Sequence, residues 1–429
     1  MRASSLRWRS VRWPFVALLA ACAPAPVPLL DVPIDERPSD AERYYAIWLG
    51  GAQIGTAHET EQWSRVGVIV RRTETMRFLR GDVPVELATT IEITADRGLA
   101  PSRVTWTERA QAVRHGEADR GPAAWLVTDD AGVRRLPRAA IPAELVPLVV
   151  RRDGRFAGDV FLPARGFVAG AGRIDPIAPD RLVARLVLER APSATGEPVA
   201  AEATIDLGPD AMPLRVVDGE GVIAMRITAA QAAAPFEPVD LIAATSIPLA
   251  GNPGARPTLE LELDGDLALP PVPGQRVRRG GALELSAHLA GGLPPGPAGP
   301  DRTRAIASLV AGVHDRIVPD LAANPISAGT AAAATTGDCT TFALSYAALA
   351  AARAIPTRVV TGFRVDGDRL VRHRWAVSWT GRAWIAVDAA FGAVPAGGDL
   401  VGVAIHDADD AGLVAGEAAL THVRAATWK

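Results

Sequence analysis

The sequence predicts an α+β protein: an N-terminal β-rich platform, built as an antiparallel sheet or sandwich, followed by a smaller α+β domain. Three observations carry this. Residues 41–235 are mostly short alternating runs of apolar and polar side chains broken by turns, the period of half-buried strands. Gly291-Gly292-Leu293-Pro294-Pro295-Gly296 then supplies a linker composition. Beyond it, two stretches with helical character precede three strand-like runs. At 429 residues and 48% hydrophobic content, the chain has material for two or three cored domains.

The first segment reads as an address. Arg2, Arg7, Arg9 and Arg12 precede an apolar run over residues 13–21 that is too short to span a bilayer. Residues 1–21 are therefore expected to be a secretory signal peptide. Leu19-Ala20-Ala21-Cys22 resembles the bacterial lipobox, which implies cleavage before Cys22 and lipidation of its thiol. Ala23 follows, without the aspartate that retains many such proteins at the inner membrane, so the resemblance implies the periplasmic face of the outer membrane. Residues 22–40, rich in proline and acids, read as a tether.

In the platform, 41–235, alternating runs recur at 43–49, 89–94, 182–188, 203–207, 214–217 and 222–227. Asp218-Gly219 between the last two is a hairpin signal. One helix is expected near 142–151. Asp129-Asp130 reads as a solvated turn, and His58 and His115 as surface residues. Residues 236–300 read as a β-rich bridging segment and linker, and 401–429 as a polar C-terminal tail that contains His406 and His422.

Composition excludes several classes. The formal net charge is −3 with scattered arginines, so no nucleic-acid partner is expected. Phosphate-loop, zinc-protease and nucleophile-elbow patterns are missing, and no cofactor or metal is expected. Lys429 is the only lysine, which leaves the protein almost no amine acceptor of its own. The only cysteines are Cys22 and Cys339. With Cys22 lipidated, Cys339 would be a lone thiol in an exported protein, where an unpaired thiol is uncommon.

Residues 301–400 concentrate the chemistry. Asp301 is a helix cap, and Ile306, Leu309, Val310, Val313 and Ile317 follow at helical spacing, with Pro319 beyond. His314 on this helix reads as a surface residue. Asp338 can cap a second helix that is apolar almost all round, the mark of a core helix. Cys339 then falls on its first turn, where unpaired N–H groups and the helix dipole favour a thiolate. The neighbouring Asp338 charge opposes this, so a cationic partner is required. Strands are expected over 357–363, 373–379 and 384–388. If Trp379 faces Trp384 across a hairpin, His373 and Asp388 become diagonal neighbours on one face, about 7–8 Å apart at Cα. Nucleophile, base and orienter are then Cys339, His373 and Asp388. Trp375, Trp379 and Trp384 read as packing residues.

Taken together, Gly337-Asp338-Cys339, the run from Arg353 to Phe363, His373-Arg374-Trp375 and Trp384-Ile385-Ala386-Val387-Asp388 resemble the core of the transglutaminase-like superfamily over about residues 305–399. The resemblance implies a half-barrel core and thioester chemistry on the carboxamide of a peptide or protein in the cell envelope. A catalytically silent binding module is the alternative. Three positions depart from the family pattern: Ala354 stands where glycine is usual, Arg374 where a small residue often follows the histidine, and Ala389 where proline often follows the aspartate. Alternation turns Arg374 to the strand face opposite His373. Residues 44–56 and 213–226 more weakly resemble the extracytoplasmic platform beside such domains in some bacterial proteins.

Overall fold

The computed structural model describes residues 38–429, apart from 131, 166, 193–197, 219–220, 254–257, 265–266, 280 and 324–327. The expected signal peptide, Cys22 and nearly all of the expected tether lie outside the described residues. Gly219 does too, though the strands flanking it, Pro213–Asp218 and Val222–Ile227, pair antiparallel.

In the N-terminal half, fifteen strands form one sheet among the described residues. Ala41–Leu49 lies in its middle, pairing with Ala52–Trp63 on one side and Val222–Ile227 on the other. Each side then runs outward as a meander. The sheet curls on itself. Phe161 meets the Trp125 ring edge-on at 5.3 Å and Phe167 at 6.1 Å, which joins strands from opposite ends of the order. Trp63, Ile93, Val104, Trp106 and Leu148 fill the same core. Of the two expected forms, sheet or sandwich, the fold is thus one continuous curled sheet. The single-turn preface Ala143–Leu145 and helix Val146–Asp153 plug it, ended by Gly154 in the left-handed region at φ 77°. Asp129 is no solvated residue. Arg134 grips both its oxygens at 2.8 and 2.7 Å, and its side chain is 8% exposed.

In the C-terminal half the elements are α1 (Thr303–Arg316), α2 (Cys339–Ala351), β1 (Thr357–Asp366), β2 (Arg369–Trp379), β3 (Trp384–Val387), β4 (Leu400–His406), α3 (Asp410–Leu420) and β5 (Val423–Trp428). The sheet runs Gln275–Val277, Leu283–Leu285, Thr258–Leu263, β5, Ile247–Ala250, β2, β1, β4, with β3 also paired to β2. Two expectations are corrected here. Residues 401–429 are not a polar tail, and 236–300 is not merely a bridge, because both supply strands to this sheet. Their short apolar alternations bury Leu249, Leu259, Leu283, Val403, Val423 and Ala426 in a single cluster.

Helices α1 and α2 cover one face. Ile306, Val310 and Val313 pack on Phe342, Tyr346 and Ala350, and these on Ala376 and Val387. Each such large side chain, fully buried, contributes about 1.5–3 kcal/mol. Tyr346 is buried and its hydroxyl sits 2.7 Å from Ser378 Oγ. Burial pushes its phenol up to about 12, against the opposing pull of the Ser378 bond. On the other face Val360, Trp375, Val377 and Ile405 form a second layer. The linker packs back on this domain, with Trp379 and Trp384 donating their indole N–H groups to the carbonyls of Pro297 and Pro294 at 2.8 and 2.7 Å.

Candidate active site

The start of α2 is shaped by Gly337 and Asp338. A Cβ on Gly337 would lie 2.2 Å from Thr341 Oγ1, so no larger residue fits beneath the first turn. Asp338 is extended (φ −95°, ψ −173°), and its Oδ1 accepts from the N–H groups of Thr340 and Thr341 at 3.0 and 3.3 Å. This N-cap is worth about 1 kcal/mol and fixes where the helix begins. Cys339 follows on the first turn, a free thiol of intermediate exposure. Position N1 leaves its backbone N–H without an intrahelical acceptor.

Strands β2 and β3 supply the rest. Trp379 pairs with Trp384 and Ala376 with Val387, and continuing that register brings Trp375 opposite Asp388. His373, two residues along, reaches diagonally to Asp388: its Nε2–H donates to Oδ2 at 2.7 Å. His373 is 6% exposed and Asp388 3%. Asp388 is itself held, through two backbone bonds with Ala393 (3.0 and 2.9 Å) and one from Ala390 N–H to Oδ1 (3.1 Å). The His373 ring stacks on Trp375 and meets the edge of Phe391 at 5.5 Å, while the Arg364 guanidinium lies 3.5 Å over the Phe391 ring. Phe391, itself 55% exposed, packs against the buried imidazole.

Cys339 lies close enough to the same imidazole to shift its titration, alongside Asp388. With Nε2 committed to Asp388, Nδ1 is the ring nitrogen left for sulfur. Burial pulls the imidazole down, but the interactions with Asp388 and Cys339 outweigh it and raise His373 to about 10. A ring held protonated beside a thiol can stabilise the thiolate and later deliver a proton. Of the three residues, Cys339 alone is more than marginally exposed.

The remaining histidines divide. His314, exposed, meets the Ala389 carbonyl at 3.1 Å through Nδ1, and His422 meets that of Asp264 at 3.0 Å. His58 stacks on Tyr44 and pairs with Glu42 at 2.6 Å on the surface. His406 is a correction: expected in a polar tail, it lies in β4 at 2% exposure. Its Nδ1 bonds the Asp407 carbonyl (2.8 Å) and its Nε2 the Thr361 hydroxyl (2.9 Å). Burial holds it down at about 4, hence neutral.

Arg374 does face away from His373, yet it is not remote from the site. It donates to Thr340 Oγ1 at 2.7 Å and Thr361 Oγ1 at 3.1 Å, and pairs with Glu417 of α3. Glu417 also receives Arg372 at 3.2 Å. Sequence reasoning missed this network. Its signal was Glu417, the one charge among the apolar residues of 411–420. Arg80, from the N-terminal sheet, was missed as well: its Nη1 reaches Asp338 Oδ2 at 3.2 Å and the Leu321 carbonyl at 3.1 Å. A separate groove of about 290 Å³, lined by His58, Arg71 and Glu92 among others, includes none of Cys339, His373 and Asp388. Among the described residues no cluster of three or more His, Cys, Asp or Glu could hold a metal, and no helix is long and apolar enough to cross a membrane.

Fold and site together place a cysteine at a helix N-terminus and a histidine–carboxylate pair on neighbouring antiparallel strands. Residues 295–389 match the transglutaminase-like superfamily model, and this segment of the chain is a transglutaminase-like domain. The match covers under a quarter of the chain. Among solved structures, a β-barrel-like protein of a domain of unknown function (DUF1849) from Brucella abortus aligns at 10% identity and TM-score 0.27, over 45% of this chain and 98% of its own. A candidate cysteine protease from Cytophaga hutchinsonii aligns at 19% identity and TM-score 0.22, over 29% of this chain and 41% of its own. A DUF1089 family protein from Pseudomonas aeruginosa aligns at 8% identity and TM-score 0.25, over 37% of this chain and 87% of its own. No curated protein matches the chain in sequence.

Proposed function

We propose that the protein is an envelope-anchored cysteine enzyme that cleaves or transfers the carboxamide of a peptide or protein substrate through a thioester. One observation carries this: a buried imidazole bonded to Asp388 at 2.7 Å that also interacts with the partly exposed Cys339. Cys339 Sγ attacks the carboxamide carbon. The C–N bond breaks as His373 hands its proton to the departing nitrogen, which leaves ammonia or an amine and a thioester. Water or a second amine then attacks that carbonyl and gives its proton to His373. The C–S bond breaks and the thiolate is restored beside the imidazolium. Asp388 orients the ring throughout, and the Cys339 N–H at the helix start is placed for the developing oxyanion. Lipidation of Cys22, supported by the lipobox resemblance, would hold the protein at the periplasmic face of the outer membrane.

The test incubates envelope peptides and proteins with wild type and Cys339→Ala and follows products by mass spectrometry. Gain of water in a product marks hydrolysis, and loss of ammonia on joining two substrates marks transamidation. Products identical with both proteins contradict the proposal and favour the silent binding module.

A further inference from the structure

The cap that starts α2 raises a difficulty. Asp338 is adjacent to Cys339, and its carboxylate opposes negative charge on the sulfur. The structure divides the two oxygens of that carboxylate. Oδ1 is spent on the helix, accepting from the N–H groups of Thr340 and Thr341. Oδ2 faces Arg80 at 3.2 Å. Arg80 comes from the tip of the hairpin between Gly67–Arg80 and Val83–Asp96, 258 residues away in the chain. Both side chains are 27% exposed, so the pair is only partly screened by water.

The hairpin tip is anchored rather than merely near. Leu79 N–H donates to the Val239 carbonyl at 2.8 Å and Gly81 N–H to Asp240 Oδ1 at 2.9 Å. Arg80 also donates to the Leu321 carbonyl at 3.1 Å. Close by, Asp320 N–H donates to the Gly337 carbonyl at 3.0 Å, and Gln111 of the N-terminal sheet reaches Asp320 Oδ2 at 3.4 Å. The segment leading into Cys339 is therefore held by the N-terminal sheet at two points.

We infer that Arg80 is a positioning residue of the cysteine site: by neutralising Asp338 it lets a carboxylate cap the helix without repelling the Cys339 thiolate. The N-terminal sheet is then part of the reactive apparatus. The inference rests on the proposed thiol chemistry. The other charges around this turn are His373 of β2, Arg374 of β2 through Thr340, Glu417 of α3 through Arg374, and Asp320. None of them is bonded to Asp338 Oδ2, whereas Arg80 is.

The experiment measures the rate of Cys339 alkylation by iodoacetamide across pH on the full chain, read on the Cys339 peptide by mass spectrometry. An unmasked neighbouring carboxylate raises the pH of half-maximal reactivity by up to about one unit. The more basic thiolate recovers part of the lost rate, because nucleophilicity rises with basicity at a Brønsted slope of about 0.4–0.5. Arg80→Gln should thus shift the profile upward and slow alkylation about threefold at pH values below the wild-type half-maximal point, and Arg80→Lys should restore most of it. In an Asp338→Asn background, where asparagine still caps but carries no charge, Arg80→Gln should have no effect. Equal slowing in both backgrounds would mean that Arg80 only docks the hairpin, and overturns the inference. So would a wild-type rate in Arg80→Gln. A rate that depends on His373 but not on Arg80 contradicts this assignment alone. A rate indifferent to His373→Ala contradicts the enzyme reading, and this one with it.

Discussion

Both halves of the molecule bury charge, and they do so to opposite ends. In the N-terminal sheet Arg43 lies between Glu59 (3.1 Å) and Glu61 (2.5 Å), Arg151 closes on Glu61 at 3.0 Å, and Arg72 joins Glu59 and Glu74. Each of these carboxylates is answered by a guanidinium, and the set points nowhere. In the C-terminal domain Asp388 is answered by an imidazole that also interacts with Cys339, a partly exposed residue. Perturbed titration is common to both. Burial raises Glu144, in the N-terminal half, to about 7, a value suited to a general base, with no nucleophile bonded to it. The comparison teaches that a buried charge marks a reactive site when its chain of partners ends in a nucleophile, and a structural one when it closes on itself.

The largest effect that would sharpen this contrast is on turnover. His373→Ala should lower amide turnover on the order of 10³-fold and, by stranding the buried Asp388 carboxylate, should also cost stability. Glu61→Ala should cost stability alone. It leaves Arg43 and Arg151 short of a buried partner, and should lose about 3–5 kcal/mol in urea unfolding with Cys339 alkylation unchanged in the folded protein.

How much of this could be read from the chain follows the range of the signals. The Cys339, His373 and Asp388 positions were legible because a cap, a helix start and one hairpin register are local, and Trp379 opposite Trp384 fixes the rest. Arg80 was not, because nothing local ties residue 80 to residue 338. The strand at Leu400–His406 was hidden by the polar run 406–410 that follows it, and its neutral His406 is explained only once Thr361 and the Asp407 carbonyl are seen around it. Ala354 stands where the family pattern has glycine. Its physical meaning came with its backbone, which is left-handed at φ 50°.

Two smaller effects follow. His406 titrates near 4 when folded and near 6.5 when unfolded, so the unfolded chain binds more protons between those values. The stabilisation from keeping it neutral is full above pH 6.5 and lost as pH falls through 4, on the order of 3 kcal/mol. His373 has the opposite sign: its contribution is full below pH 6.5 and lost as pH rises through about 10. Replacing His406 with glutamine should flatten the acid limb of a stability–pH curve and leave the alkaline limb as it was. Smallest of all, Ala354→Gly should relieve the left-handed strain and gain about 0.5–1 kcal/mol, read as a rise in melting temperature without change at Cys339.

The most direct measurement is the pH profile of Cys339 alkylation in wild type and His373→Ala, with the modified peptide identified by mass spectrometry. A thiolate held by a protonated imidazole predicts rapid labelling already at neutral pH in wild type, and slow labelling in His373→Ala that rises only toward about pH 8.5, as for a free cysteine. The same slow, alkaline profile in both proteins would contradict the account.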